Sequence, residues 1–206
     1  MHHPEQVRAI HELLNRLDTG MTVDAGGQRR NPTTAYSDPE LAVRERDVFF
    51  RQHPQKIGLS GDLPEPGSFL TFNELDVPVL CIRGDDGQFR AFVNSCRHRG
   101  VAVEADERGA RRRFTCPFHA WSYDRGGELV GLPKPDHFGD VDRSCMGLLA
   151  LPAVEKHGML WIHLDPAGTI DVDALLTPAL ADELDSWNLG ELSSTKSPGA
   201  RSPSSL

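Results

Sequence analysis

With 206 residues, 38% hydrophobic and 25% charged, the chain has the composition of a globular protein: one domain with extensions, or one domain and part of a second. A formal net charge of −8 argues against nucleic acid as a partner. No apolar run approaches the ~20 residues that span a bilayer, and the opening Met1-His2-His3-Pro4-Glu5-Gln6 lacks the basic and apolar regions of a secretory signal. The expectation is a cytoplasmic protein with no membrane association.

In chain order, Val7, Ile10, Leu13, Leu14 and Leu17 recur at helical spacing before Gly20, which predicts a helix over 4–18. Residues 26–34 are polar and loop-like. Ser37-Asp38-Pro39-Glu40 supplies a cap, a first-turn proline and an acidic residue, so a second helix is predicted to run to about Gln52. From Lys56 the pattern changes to short strands separated by glycine and aspartate turns, at 57–60, 68–73, 77–83, 89–93, 112–115, 121–124, 128–130 and 159–164. Asp85-Asp86-Gly87 and Arg125-Gly126-Gly127 are hairpin turns by composition. The spacing predicts a mainly β fold with helices at both ends, an α+β arrangement built on an antiparallel sandwich or small barrel. A last helix is predicted over 171–187, kinked or divided by Pro178. Beyond Leu189 the sequence turns to Ser, Pro and Gly, and 190–206 is expected to be a disordered tail.

Four cysteines without an export signal argue against a disulfide framework. Of Cys81, Cys96, Cys116 and Cys145, only Cys96 and Cys116 have histidines at ligand-like spacing. The segments Asn94-Ser95-Cys96-Arg97-His98-Arg99-Gly100 and Cys116-Pro117-Phe118-His119-Ala120-Trp121-Ser122-Tyr123 read Cys-x-His, seventeen residues, then Cys-x-x-His. Each half offers a thiolate and an imidazole from a short loop after a strand. One zinc ion would take all four ligands, but the Cys-x-His half is tight for two ligands on one ion. A two-iron cluster relieves this, with Cys96 and Cys116 on one iron and His98 and His119 on the other. Gly100 permits a positive φ in the first loop and Pro117 stiffens the second. Two ferric ions, two sulfides and two thiolates sum to zero charge. Such a core accepts an electron at about −150 to +300 mV, against about −400 mV for plant-type all-cysteine clusters. The imidazoles become more acidic as iron is oxidised, which couples the electron to a proton. The local chemistry is that of a one-electron carrier.

On these two motifs, with Arg90-Ala91-Phe92-Val93-Asn94 before the first and Gly158-Met159-Leu160-Trp161-Ile162 near the end, residues 36–165 resemble the Rieske domain of the large (alpha) subunit of bacterial aromatic-ring-hydroxylating oxygenases. The resemblance implies a [2Fe–2S] cluster on Cys96, His98, Cys116 and His119, carried by two loops of the β fold. It implies a cluster fed by a reductase or ferredoxin, an aromatic or other small organic substrate, and a homotrimeric full-length protein, an assembly not carried over to this chain. The respiratory Rieske proteins match less well: the positions of their extra, disulfide-forming cysteines are Val101 and Phe118 here. Trp121 stands where that branch has a serine that hydrogen-bonds the cluster, which should lower the potential.

The family's second domain holds a mononuclear Fe(II) on two histidines and a carboxylate. Here no histidine follows His163, so that site is expected to be absent and the chain inactive alone, a truncated or frame-shifted oxygenase subunit. The expected organisation is a helical extension over 1–55, the Rieske domain over 56–165, the helical start of a catalytic domain over 166–189, and the tail. The alternative is a stand-alone Rieske ferredoxin-like carrier. Cys81, in Val79-Leu80-Cys81-Ile82, and Cys145 are expected to be buried structural thiols, and His137, His157 and His163 hydrogen-bonded structural histidines. Arg97, Arg99, Arg108, Arg111, Arg112 and Arg113 form a basic cluster that reads either as a docking surface for an acidic donor or as a solvated hairpin. Arg99 has a further reading, as packing under the cluster.

Overall fold

The computed structural model describes residues 3–22 and 26–194. It contains two compact units, Met1–Ala42 and Val43–Leu206. In the first, α1 (His3–Thr19) covers the predicted helix and ends at Gly20, whose φ of +65° suits glycine. The apolar residues that predict it, Val7 to Leu17, are solvent-exposed. Asp38 caps α2 (Pro39–Glu45), its Oδ1 accepting from the amides of Glu40 (2.9 Å) and Leu41 (3.3 Å). The chain then continues as a π-helical stretch, Arg46–Arg51.

The second unit contains three antiparallel sheets. The first has the order β1-β11-β10, from β1 (Gln55–Leu59), β10 (Ala153–Lys156) and β11 (Met159–Ile162). The central sheet has the order β5-β2-β3-β4-β9. Its strands are β2 (Ser68–Phe72), β3 (Val79–Arg83), β4 (Phe89–Val93), β5 (Arg108–Ala110) and β9 (Ala150–Leu151). The third has β6 (Phe114–Thr115), β7 (Ser122–Tyr123) and β8 (Leu129–Gly131) in sequence order. These are open sheets, so the small barrel that the strand spacing allowed is not formed.

Strand β3 explains the layering. It is an uninterrupted apolar run because both its faces are buried. Leu80 and Ile82 enter a core shared with Phe69, Phe92, Phe114, Tyr123 and Leu129, whereas Val79 and Cys81 enter a second core with Leu63, Leu70, Leu160 and Ile162. The central sheet is therefore a partition: one face packs on β10–β11 residues, the other on the small third sheet from which the second motif projects.

Strands β5, β9 and β10 carry no apolar alternation and were not expected. Each is held by a partner strand: β5 by β2, β9 by β4 and β10 by β11. Pro178 divides the last helix, as expected, into α3 (Val172–Leu175) and α4 (Pro178–Asp185), with Thr177 capping the latter. Residues 190–194, expected in the disordered tail, are instead placed against the turn after β1. The buried Asp62 carboxylate accepts from the Ser194 amide (2.7 Å), the Ser194 hydroxyl (2.8 and 2.9 Å) and the Leu59 amide (2.8 Å). A Cβ at Gly61 would stand 2.3 Å from the Leu192 carbonyl oxygen, so that approach requires glycine. The remainder of the tail lies outside the described residues.

Candidate metal centre

Both motif loops are built the same way. In the first, the Cys96 amide donates to the Val101 carbonyl (2.8 Å) and the Gly100 amide returns to the Cys96 carbonyl (2.8 Å). In the second, the Cys116 amide donates to the Trp121 carbonyl (2.8 Å) and the Ala120 amide to the Cys116 carbonyl (3.0 Å). The fourth residue after each cysteine takes a left-handed φ, +75° at Gly100 and +57° at Ala120. The sequence marks the first with glycine and does not mark the second. Asn94, buried, staples the first loop shut: its Nδ2 donates to the Glu104 carbonyl (2.8 Å) and its Oδ1 accepts from Val103 (3.0 Å) and Glu104 (3.1 Å).

These loops bring the expected residues together as two pairs, Cys96 with Cys116 and His98 with His119. Cys96 and Cys116 are each 3% exposed, free thiols close enough to perturb one another. His98 and His119 are half-buried, with ring centroids 4.7 Å apart. Trp121, buried, stacks on His98 at 5.1 Å and 13°, and Phe118 lies 4.0 Å from the His119 ring. The Tyr123 hydroxyl accepts from the Arg97 amide (3.0 Å) and lies 3.4 Å from Cys96 Sγ. Burial, then the contact with Cys96, pushes the Tyr123 hydroxyl far above the usual phenol range, so it stays protonated. Burial raises the Cys96 thiol, opposed by the Tyr123 hydrogen bond. Desolvation, then His119 and Arg99, lower His98 and favour the neutral imidazole that a metal requires.

Among the described residues three buried side-chain nitrogens lack a hydrogen-bond partner, His119 Nδ1, Trp121 Nε1 and His157 Nε2, and only the first belongs to the four expected ligands. An orphaned buried nitrogen costs stability unless something else takes its lone pair. The donor set is two soft sulfurs and two imidazoles, which suits iron–sulfur chemistry. Among the described residues no three His, Cys, Asp or Glu side chains surround a single ion position. The four residues stand as a thiol pair and an imidazole pair.

Other expected residues divide. Cys81 is fully buried and burial holds its thiol far above the ordinary range, as a core thiol should be. Cys145 is not buried: it is exposed beside Asp142, its Sγ donating to Oδ2 at 3.4 Å, because its short turn lies on the surface. His157 pairs with Asp185 (2.8 Å), and the buried His163 accepts the Asp165 amide at Nδ1 (3.1 Å); His137 is exposed. The basic cluster also splits. Arg108 faces Asp62 (3.6 Å), and Arg111 is held by Glu104 (3.1 Å), Asp106 (2.5 Å) and the Phe69 ring. Arg97, Arg99, Arg112 and Arg113 are exposed, with Arg99 5.9 Å from the Phe118 centroid. The staple Asn94 and the sulfur contact of Tyr123 escape sequence reasoning, because neither role has a spacing signature.

Residues 53–152 match the family model of the Rieske [2Fe–2S] domain. The chain is 31% identical over 157 residues to the glycine betaine monooxygenase oxygenase subunit of Chromohalobacter salexigens, covering 75% of this chain and 35% of that protein. It is 31% identical over 163 residues to the biphenyl 2,3-dioxygenase subunit alpha of Rhodococcus jostii, covering 79% and 35%. Naphthalene 1,2-dioxygenase from Rhodococcus sp., solved with indole bound, superposes with a TM-score of 0.68 at 27% identity over 86% of this chain and 39% of that one. The paired loops and three open sheets are thus those of a Rieske [2Fe–2S] domain. The relatives that share it are oxygenase subunits of Rieske-type monooxygenases and dioxygenases, and the likeness covers mainly the Rieske region. It spans about a third of the length of the curated relatives it matches.

Proposed function

We propose that Cys96, His98, Cys116 and His119 hold the [2Fe–2S] cluster, the thiolates on one iron and the imidazoles on the other. The chain then relays single electrons from a reductase or ferredoxin toward the oxygen-activating iron of a Rieske oxygenase. When bound, the cluster supplies a one-electron acceptor in the range of about −150 to +300 mV. The orphaned His119 Nδ1 carries this reading, and the matched hydrogen bonding of the two loops supports it. The chain's own residues do the rest. Cys96 and Cys116 are kept from solvent, the Arg97 N–H fixes the Tyr123 hydroxyl, and that hydroxyl, 3.4 Å from Cys96 Sγ, would donate to it once the sulfur is a cluster-bound thiolate. Relatives named for glycine betaine and for biphenyl both match this region, so the match by itself points to no one substrate. The reading assigns electron relay, and not oxygen activation, to these residues.

Anaerobic reconstitution tests it. About two irons and two labile sulfides per chain are expected, with nitrogen couplings in the EPR spectrum of the reduced protein. One zinc per chain and no EPR signal would overturn it. Tyr123→Phe should retain the cluster but lower its potential, because a donor to sulfur favours the more negative reduced state. A loss of ~1–2 kcal/mol corresponds to ~40–90 mV for one electron. Redox titration of the two proteins reads the difference.

A further inference from the structure

Residues 132–148, between β8 and β9, belong to neither motif, and the sequence predicts no element there. The segment is anchored at both ends by buried leucines, Leu132 and Leu148. Between them a short 3-10 turn, Pro135–His137, is entered through Lys134 in the left-handed region (φ +51°) and left through Gly139 (φ +69°). The Phe138 amide closes this turn on the Pro135 carbonyl at 2.9 Å. Residues 133–137, 139 and 140 face solvent, while Phe138 turns inward to pack against the core that contains Cys96, Cys116 and Trp121.

The ring it delivers stands edge-on to three others. Its centroid lies 5.1 Å from His98 at 87°, 5.5 Å from Trp121 at 80° and 6.1 Å from His119 at 84°. These are favourable edge-to-face separations. Trp121 meets only His98 of the imidazole pair and Phe118 only His119; among the described aromatic rings, Phe138 is the one that meets both.

We infer that Phe138 is a positioning residue for the imidazole pair, fixing both ring planes and keeping water from that side of the site. The inference rests on the cluster assignment above and adds a third loop to the two that supply ligands. Its consequence has a sign. A core that is neutral when oxidised gains a negative charge on reduction, and an apolar neighbour disfavours the charged state. Shielding by Phe138 therefore lowers the potential, and opening that side raises it.

The test uses the full chain, reconstituted as wild type, Phe138→Leu and Phe138→Ala, with EPR-monitored redox titration and deuteron couplings recorded in D2O. Phe138→Ala should raise the reduced-to-oxidised ratio about tenfold at a fixed potential, equal to ~59 mV for one electron, and should add exchangeable deuterons near the cluster. Phe138→Leu, which keeps an apolar cover, should restore most of the wild-type value. Equal potentials in the three proteins overturn the inference, as does a shift without added deuteron coupling. If Phe138→Ala retains no cluster, Phe138→Thr replaces it, and a Thr variant indistinguishable from the Leu variant also overturns the inference. A wild-type chain that takes up no iron and sulfide sinks the cluster assignment, and the inference with it.

Discussion

His119→Ala should abolish cluster retention while leaving the β fold in place. The side chain is half-exposed and contributes to neither apolar core, so its loss removes a donor without emptying the interior. Changes in outer-shell partners of metal ligands alone cost about 10–100-fold in affinity, and loss of the ligand itself should cost at least as much. Iron and sulfide per chain should fall more than about tenfold after reconstitution and desalting, with far-UV circular dichroism unchanged. His157→Ala and His163→Ala serve as controls, since their imidazoles are engaged by Asp185 and by the Asp165 amide. A His119→Ala protein with wild-type iron content would remove His119 from the site.

Arg83→Met should produce the largest loss of stability. The Arg83 side chain is almost fully buried, and its guanidinium serves four partners: the carbonyls of Leu63 (3.0 Å), Gly87 (3.0 Å) and Ser60 (3.4 Å), and the Glu155 carboxylate (3.2 Å to Oε1). It joins β3 of the central sheet to β10 of the neighbouring sheet. Breaking a fully buried pair costs about 3–5 kcal/mol, but Glu155 is about one-third exposed, which reduces the expected cost to ~2–3 kcal/mol. Urea unfolding should show the midpoint falling at unchanged slope. The same pair fixes a pH dependence. The Arg83 hydrogen bond holds the Glu155 carboxyl below its ordinary value. Its contribution is therefore complete above the unfolded pKa of about 4.3 and is lost as pH falls through the lower folded value. Glu155→Gln should lack that share, so its stability should fall less steeply than wild type between pH 5 and pH 3. Parallel curves would show that the pair carries no linkage.

What the sequence discloses depends on how local the cause is. The run Val79-Leu80-Cys81-Ile82 announces a buried strand because both of its faces need apolar side chains. The two ligand loops are legible because a cysteine and a histidine must leave one short loop together. Pro178 forces the break between α3 and α4 by chemistry carried within a single residue. The remaining features are set by distant partners. Strand β5 exists through its pairing with β2, and residues 190–194 are ordered by a carboxylate 132 positions away from Ser194. Ala120 adopts a conformation that its side chain does not favour, because the Cys116 loop requires it. Cys145 misleads, since the usual burial of a free thiol yields here to a short surface turn. Nothing in the spacing of Phe138 reveals that it faces two imidazoles.

The first and last strands of the Rieske unit are neighbours, with Gln55 opposite Ile162 and Leu59 opposite Met159. The polypeptide thus enters and leaves the unit through one seam, while both ligand loops lie in the chain between these two strands. A module closed in this way can be spliced into a longer polypeptide, or have its ends joined and a new opening cut at an exposed hairpin such as Asp85-Asp86-Gly87, without parting any strand from its partner. The pairing of β1 with β11 makes the unit portable.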